Sequence, residues 1–293
     1  SVFVQQQGVE CDFTESDSWV ILSPIEQSIK RKIEAVGVPL KDWDINIYRG
    51  VLTGYNDAFI ISTEKRDEIL ANCQTEEERS KTAELIRPIL RGRDIKRYEY
   101  EWANLWIINT HNGIKGKLPR IHIEDYPAVK AHLDQYWDKI SKRADKGDTP
   151  YNLRNCAYLE DFFKPKIIYP NMTKYMPFVY DNEKYLTNQK CFIITGCNVA
   201  YLTAFFNSSL FKYCFRDSFP ELQGGTREMS KIFFDKIPVL KVTGKVNEEF
   251  VKLIDDIQKE FTIEKAIHID ERLFDLYNLS PEERKVIGFI EIN

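Results

Sequence analysis

The sequence predicts an α+β fold of mixed, mostly antiparallel sheets with flanking helices, followed by a helical C-terminal tail. Three observations predict it. Strand-like runs come in groups and helix-like runs come in groups, without the regular alternation that builds a parallel sheet. With 293 residues, 43% hydrophobic and 13% aromatic, the chain can bury a sizeable core. No internal repeat or low-complexity linker interrupts it.

Taken in order, Ser23-Pro24-Ile25-Glu26 is a capping box with Pro at the first helical position, and Ile25, Ile29 and Ile33 carry an amphipathic helix to about Val36. Gly37 and Pro39 end it. Ile45–Tyr48 and Ala58–Ile61 read as strands, and the Gly- and Asn-containing stretch between them reads as the polar loop of a hairpin. Thr75 caps a second helix that Pro88 closes. Trp106–Asn109 reads as a buried strand. Tyr126-Pro127 opens a helix with Val129, Leu133, Trp137 and Ile140 inward and Lys139, Lys142, Arg143 and Lys146 toward solvent. Residues 166–169, 178–180 and 191–195 are strands, and 198–215 is a helix with Leu202, Phe205, Phe206 and Leu210 inward. From Asn247 the chain is helical and acidic, with Val251, Ile254 and Ile257 on one stripe. A further helix follows around Leu273, Leu276 and Tyr277, and a last one starts at Ser280-Pro281.

No apolar run reaches membrane-spanning length and no leader opens the chain, so no membrane partner and a cytoplasmic location are expected. Six cysteines without a CxxC pair predict reduced, mostly buried thiols and no metal site. The start on Ser1 without Met suggests a fragment. The sequence contains no GxGxxG, no P-loop, no HExxH and no GxSxG, and its four histidines are far apart. The triplet Glu283-Arg284-Lys285 falls in a predicted helix, where a metal-dependent nuclease would not place it. No catalytic residue is therefore assigned.

The formal net charge is −4, yet its distribution is uneven. Residues 1–30 hold five acids and one base, and residues 241–293 hold twelve acids and eight bases. That leaves 32 bases against 28 acids in residues 31–240. Within them "KTAELIRPILRGRDIKRY" (81–98) carries six bases and two acids. A polyanion site needs a basic patch rather than a basic protein. Arg91, Arg93, Lys96 and Arg97 lie on a segment broken by Gly92, which lets backbone approach a ligand closely. Thr53, Tyr55 and Asn56 can donate, accept and stack, and Gly224-Gly225-Thr226-Arg227 with Lys231 is a further polar loop.

"GVLTGYNDAFIIS" followed by "IRPILRGRDIKRYEY" resembles the TaqI-like C-terminal specificity domain of type IIG restriction-modification enzymes and adenine-specific DNA methyltransferases. Gly50, Thr53, Gly54, Asn56, Ala58, Phe59 and Ile61 match the first stretch of that family. Pro88, Leu90, Gly92, Asp94, Ile95, Arg97 and Tyr98 match the second. "PKIIYPNMT", "LTAFFNSSLFKYCFR" and "GGTREMSKIFFDKIPV" are also similar. The family's Asn-Pro-Pro-Tyr or -Phe motif and its S-adenosylmethionine loop are missing. The resemblance thus implies a DNA target recognition domain that itself holds no cofactor. Its partners would be double-stranded DNA and an N-terminal methyltransferase domain that uses S-adenosylmethionine. On this reading residues 1–30 are a lead-in strand and helix start, 31–240 the recognition domain, and 241–293 the helical tail. Arg49, Arg91, Arg93, Lys96, Arg97 and Lys231 would bind phosphates; Thr53, Tyr55, Asn56, Asn171, Lys174 and Arg227 would read bases. A protein-interaction module docking through the acidic tail is the alternative, and a hydrolase whose site assembles only in space is a third.

Overall fold

The computed structural model describes residues 22–290. Its helices of seven or more residues are α1 (Pro24–Val36), α2 (Thr63–Ala71), α3 (Glu76–Leu85), α4 (Pro127–Asp134), α5 (Val199–Asn207), α6 (Ser209–Phe215), α7 (Gly244–Lys259), α8 (Ile263–Leu276) and α9 (Pro281–Ile287). The strands that matter for the site are β1 (Ile45–Arg49), β2 (Ile60–Ser62), β3 (Ile86–Leu90), β4 (Leu105–Ile108), β5 (Pro165–Pro170), β6 (Met172–Thr173), β7 (Val179–Asn182), β8 (Leu186–Thr187), β9 (Cys191–Gly196) and β10 (Arg227–Glu228).

One antiparallel sheet runs β7-β5-β9-β1. A second runs β8-β3-β4-β2, antiparallel except for the β8/β3 pair. The α+β expectation holds. The first sheet is buried on both faces, between two hydrophobic cores. Along β5, Ile167 and Tyr169 enter the core shared with α1 and α5–α8, while Ile168 enters the core of the second sheet. Along β9, Ile194 goes to the first core and Ile193 to the second. This is why "KIIYP" and "CFIIT" are continuous apolar runs rather than alternating ones.

The expected hairpin does not form. β1 pairs with β9 in the first sheet, β2 pairs with β4 in the second, and residues 50–59 carry the chain across. A Cβ on Gly50 would stand 2.0 Å from the Asn188 carbonyl oxygen, so only glycine lets the strands touch there. Val51 then bridges Asn188 instead of folding back on β1. Ala58 and Phe59 are helical, not extended, and fully buried.

The caps hold as expected: Ser23 and Glu26 form the reciprocal box, and Thr75 Oγ1 accepts from Glu78 N. α3 stops at Leu85, and the chain is already extended when it reaches Pro88. The helix expected over 198–215 is two helices, because Ser208 caps a new start by accepting from Phe211 N. The helix from Tyr126 breaks after Asp134, and Trp137 stays exposed. In the acidic stretch the buried stripe is Phe250, Ile254 and Ile257; Val251 is half-buried. The proposed segment boundaries do not separate cores. α1 spans residues 30 and 31, and α7 and α8 pack in the same core as β5 and α5. The N-terminal lead-in up to residue 21 lies outside the described residues.

Candidate nucleic-acid interface

Four chain segments are stitched together at one end of the first sheet. β1 leaves at Arg49, β5 at Pro170 and β3 at Leu90, and β9 enters at Cys191. Gly50 N donates to Cys191 O (2.9 Å), Val51 N to Thr187 O (2.7 Å), Asn188 N to Leu90 O (3.1 Å) and Asn171 N to Lys190 O (2.9 Å). Gly92 packs here as well: a Cβ on it would meet the Lys190 carbonyl at 2.9 Å. Its role is thus close approach to neighbouring backbone, where the sequence suggested a ligand. β6 and β10 extend this end as a short ribbon, with Thr173 opposite Arg227 and Met229 N donating to Asn171 O (2.9 Å).

This junction presents Arg49, Arg93, Lys174 and Lys190, all exposed. Among the described residues none of the four has a carboxylate partner. The Arg49 guanidinium donates Nε–H to Gln189 O (3.1 Å), which holds its stem while leaving its charge uncompensated. Lys190 was missed by sequence reasoning; the polar "NQK" directly before β9 was its signal. Lys96 is exposed and equally unpaired on the short strand Ile95–Lys96. Asn171 is half-buried at the root of the ribbon, and Tyr175 beside Lys174 is 73% exposed.

The remaining expected site residues are held by the protein itself. Arg91 makes a bidentate pair with buried Asp94, 2.8 Å at its shortest, and that hydrogen-bonded pair raises the pKa of Arg91. Arg97 is 13% exposed in its side chain, donates to Asn207 O and faces Asp270 at 3.9 Å, toward the helices rather than the junction. Arg227 is buried, donating to Arg216 O and Phe219 O and pairing with Glu221 and Asp217; it pins the loop of residues 216–221. Lys231 pairs with Asp235 one helical turn on. Thr53 is fully buried, donating to Asn56 Oδ1 (2.6 Å) and accepting from Tyr55 N (3.2 Å). Asn56 is exposed, while Tyr55 is half-buried against Tyr136, ring centroids 6.1 Å apart.

Arg143, expected on a solvated face, is buried instead. It donates to the carbonyl oxygens of Thr53, Asp145, Pro150 and Asn152 and lies 4.5 Å over the Phe59 ring. Burial pulls its pKa down to about 10. It locks the 53–57 loop, where Gly54 adopts φ +72°.

Residues 87–239 match the family model of the TaqI-like C-terminal specificity domain. The chain belongs to this family. Solved structures agree on the fold. The type IIG restriction endonuclease BpuSI aligns with a TM-score of 0.53 at 13% identity, over 89% of this chain and 34% of that one. The type IIL restriction-modification enzyme MmeI, solved in complex with DNA, aligns with a TM-score of 0.54 at 10% identity, over 83% and 34%. The chain thus spans about a third of the length of each enzyme. No curated protein matches the sequence. Among the described residues no helix is long and apolar enough to cross a membrane.

Proposed function

We propose that this TaqI-like specificity domain reads the target site for an adenine-specific restriction-modification enzyme. Methyl transfer to the N6 of adenine would be carried out by a methyltransferase part outside this sequence. That part would hold S-adenosylmethionine, and no residue here is assigned to the cofactor. A cytoplasmic role in phage defence belongs to the same proposal. The observation that carries it is the set of exposed, uncompensated cations, Arg49, Arg93, Lys174 and Lys190, on segments bonded to one another at one end of a rigid sheet.

Such cations neutralise phosphates and set register, while short amide side chains beside them reach base edges. Asn171, with Asn56 and Tyr55 farther along the loop, is the candidate for base contact; Asn pairs bidentately with adenine. Arg91, Arg97 and Arg227 act one step back: their charge is spent on Asp94, Asp270 and the 216–221 loop, and they position the segments that carry the free cations. Docking through an acidic tail has less support, since the apolar stripe of α7 is already buried against α5.

Fluorescence anisotropy on a library of labelled duplexes tests the reading. Lys190→Ala is expected to weaken all duplexes about equally, whereas Asn171→Ala relaxes discrimination at one base position, worth about 1–3 kcal/mol. If neither substitution changes binding to any duplex, the site is misplaced.

A further inference from the structure

Next to the basic junction lies a cavity of about 300 Å³, between residues 49–52 and residues 153–159. That is the lower end of the range of small-molecule sites, roughly 300–1,000 Å³. Two guanidiniums, Arg49 and Arg154, stand at its wall, and no carboxylate lines it. Arg154 also pairs with Asp145 at 3.0 Å, an exposed contact. The Tyr158 hydroxyl lies near both arginines. Burial, with Cys156 beside it, raises its pKa, and Arg154 and Arg49 offset only part of that rise. The Tyr158 ring is fixed by stacking on Tyr48, centroids 4.2 Å apart and planes 1° from parallel.

Deeper in the wall is Asn109, only 6% exposed, whose side-chain Oδ1 has no hydrogen-bond partner. A buried, unsatisfied amide oxygen is costly and calls for a ligand or water. Its backbone is already used, with N–H donating to Leu85 O. His111 stands beside it; its Nδ1 accepts from Gly113 N (3.1 Å), which leaves Nε2 to carry the proton of a neutral ring. Asn109 and His111 also line a second cavity of about 560 Å³, so the two hollows share this polar wall.

We propose that this cavity binds one nucleotide: the arginines take its phosphate, and Asn109 with His111 meets the polar edge of its base. An anion is suited by Arg49, which has no carboxylate partner, and by Arg154, whose one partner, Asp145, is not part of the cavity wall. A heteroaromatic edge is suited by one amide and one neutral N–H donor, the pattern by which Asn reads adenine. The nucleotide can be free or unstacked from DNA; the DNA-borne form rests on the function proposed above, and the free form does not.

The test uses the full chain, with deoxyadenosine monophosphate in calorimetry and a duplex carrying 2-aminopurine in fluorescence, each against Arg154→Gln and Asn109→Leu. Arg154→Gln gives up only an exposed ion pair, so folding is preserved. Binding of the free nucleotide that weakens about tenfold in each variant supports the proposal. So does a 2-aminopurine signal that rises with wild type and not with Arg154→Gln, even where the free nucleotide does not bind; that outcome assigns DNA as the source. Absence of both signals, or signals insensitive to both variants, overturns it. If anisotropy then still shows duplex binding, the specificity-domain reading stands without this cavity.

Discussion

Arg143 shows how far one side chain can differ from its sequence context. It follows Lys139 and Lys142 on what reads as a polar face, yet its guanidinium satisfies four carbonyls, those of Thr53 and Asn152 in buried hydrogen bonds, and fixes the loop that begins at Thr53. Arg143→Leu is expected to cost about 3 kcal/mol or more in urea unfolding, because those carbonyls are deprived of their donor together. Arg143→Lys should not rescue it, since an ammonium cannot span the same fork. Lys166 is a second such residue: fully buried, it donates to Asp181 Oδ2 at 2.5 Å, and that oxygen also accepts from Tyr185 N. Asp181→Ala should cost about 3–5 kcal/mol, whereas Lys166→Met with Asp181→Leu should cost less, because no charge is then stranded. His111 and His132 add a pH effect. Burial lowers both below the ordinary 6.5. The unfolded chain therefore binds protons that the folded chain refuses. The stability is complete above about pH 6.5 and is lost as pH falls below it toward the folded values. The urea midpoint should drop from about pH 7.5 to about pH 5.5, and less steeply in His111→Asn/His132→Asn. A flat profile in the wild type would contradict the burial of these rings.

At the scale of elements, local signals were legible where a cap or a period decided them. The Ser23 and Thr75 starts, and β5 and β9, could be read from residues within a few positions. What could not be read was partnership. "INIYRGVLTGYNDAFIIS" has the composition of a hairpin, and only the Asn188 carbonyl, far along the chain, explains why Gly50 sends it across to another sheet. Likewise, Gly92 and the arginines around it look like a ligand loop in sequence. The long-range partners Asp270 and Asn207 settle that Arg97 is an anchor instead, and nothing local to "RGRDIKR" encodes them. The exposed cations at the junction were legible only in part, Arg49, Arg93 and Lys174 but not Lys190. A Gly50→Val substitution is expected to break the β1–β8 junction and lower the thermal midpoint, while Gly244→Ser, exposed, with open space around it and no left-handed backbone, should fold normally.

Over the whole molecule, the first sheet is a wall between two cores, and the tail helices complete one of them. Ser28 and Lys32 of α1 bind Glu283 of α9, so the two ends of the described chain close on each other. A sheet clamped on both faces is a stiff mount, and stiffness is what site reading needs. On the proposed function, its junction end grips a polyanion through Arg49, Arg93, Lys174 and Lys190. The measurement that tests it most directly is the salt dependence of duplex binding by wild type and by the fourfold alanine variant of these residues. The slope of log K against log salt should flatten by about 3 to 4 in the variant, at about 0.9 for each phosphate that is no longer neutralised. A variant that folds, binds duplex and keeps the wild-type slope would contradict the claim.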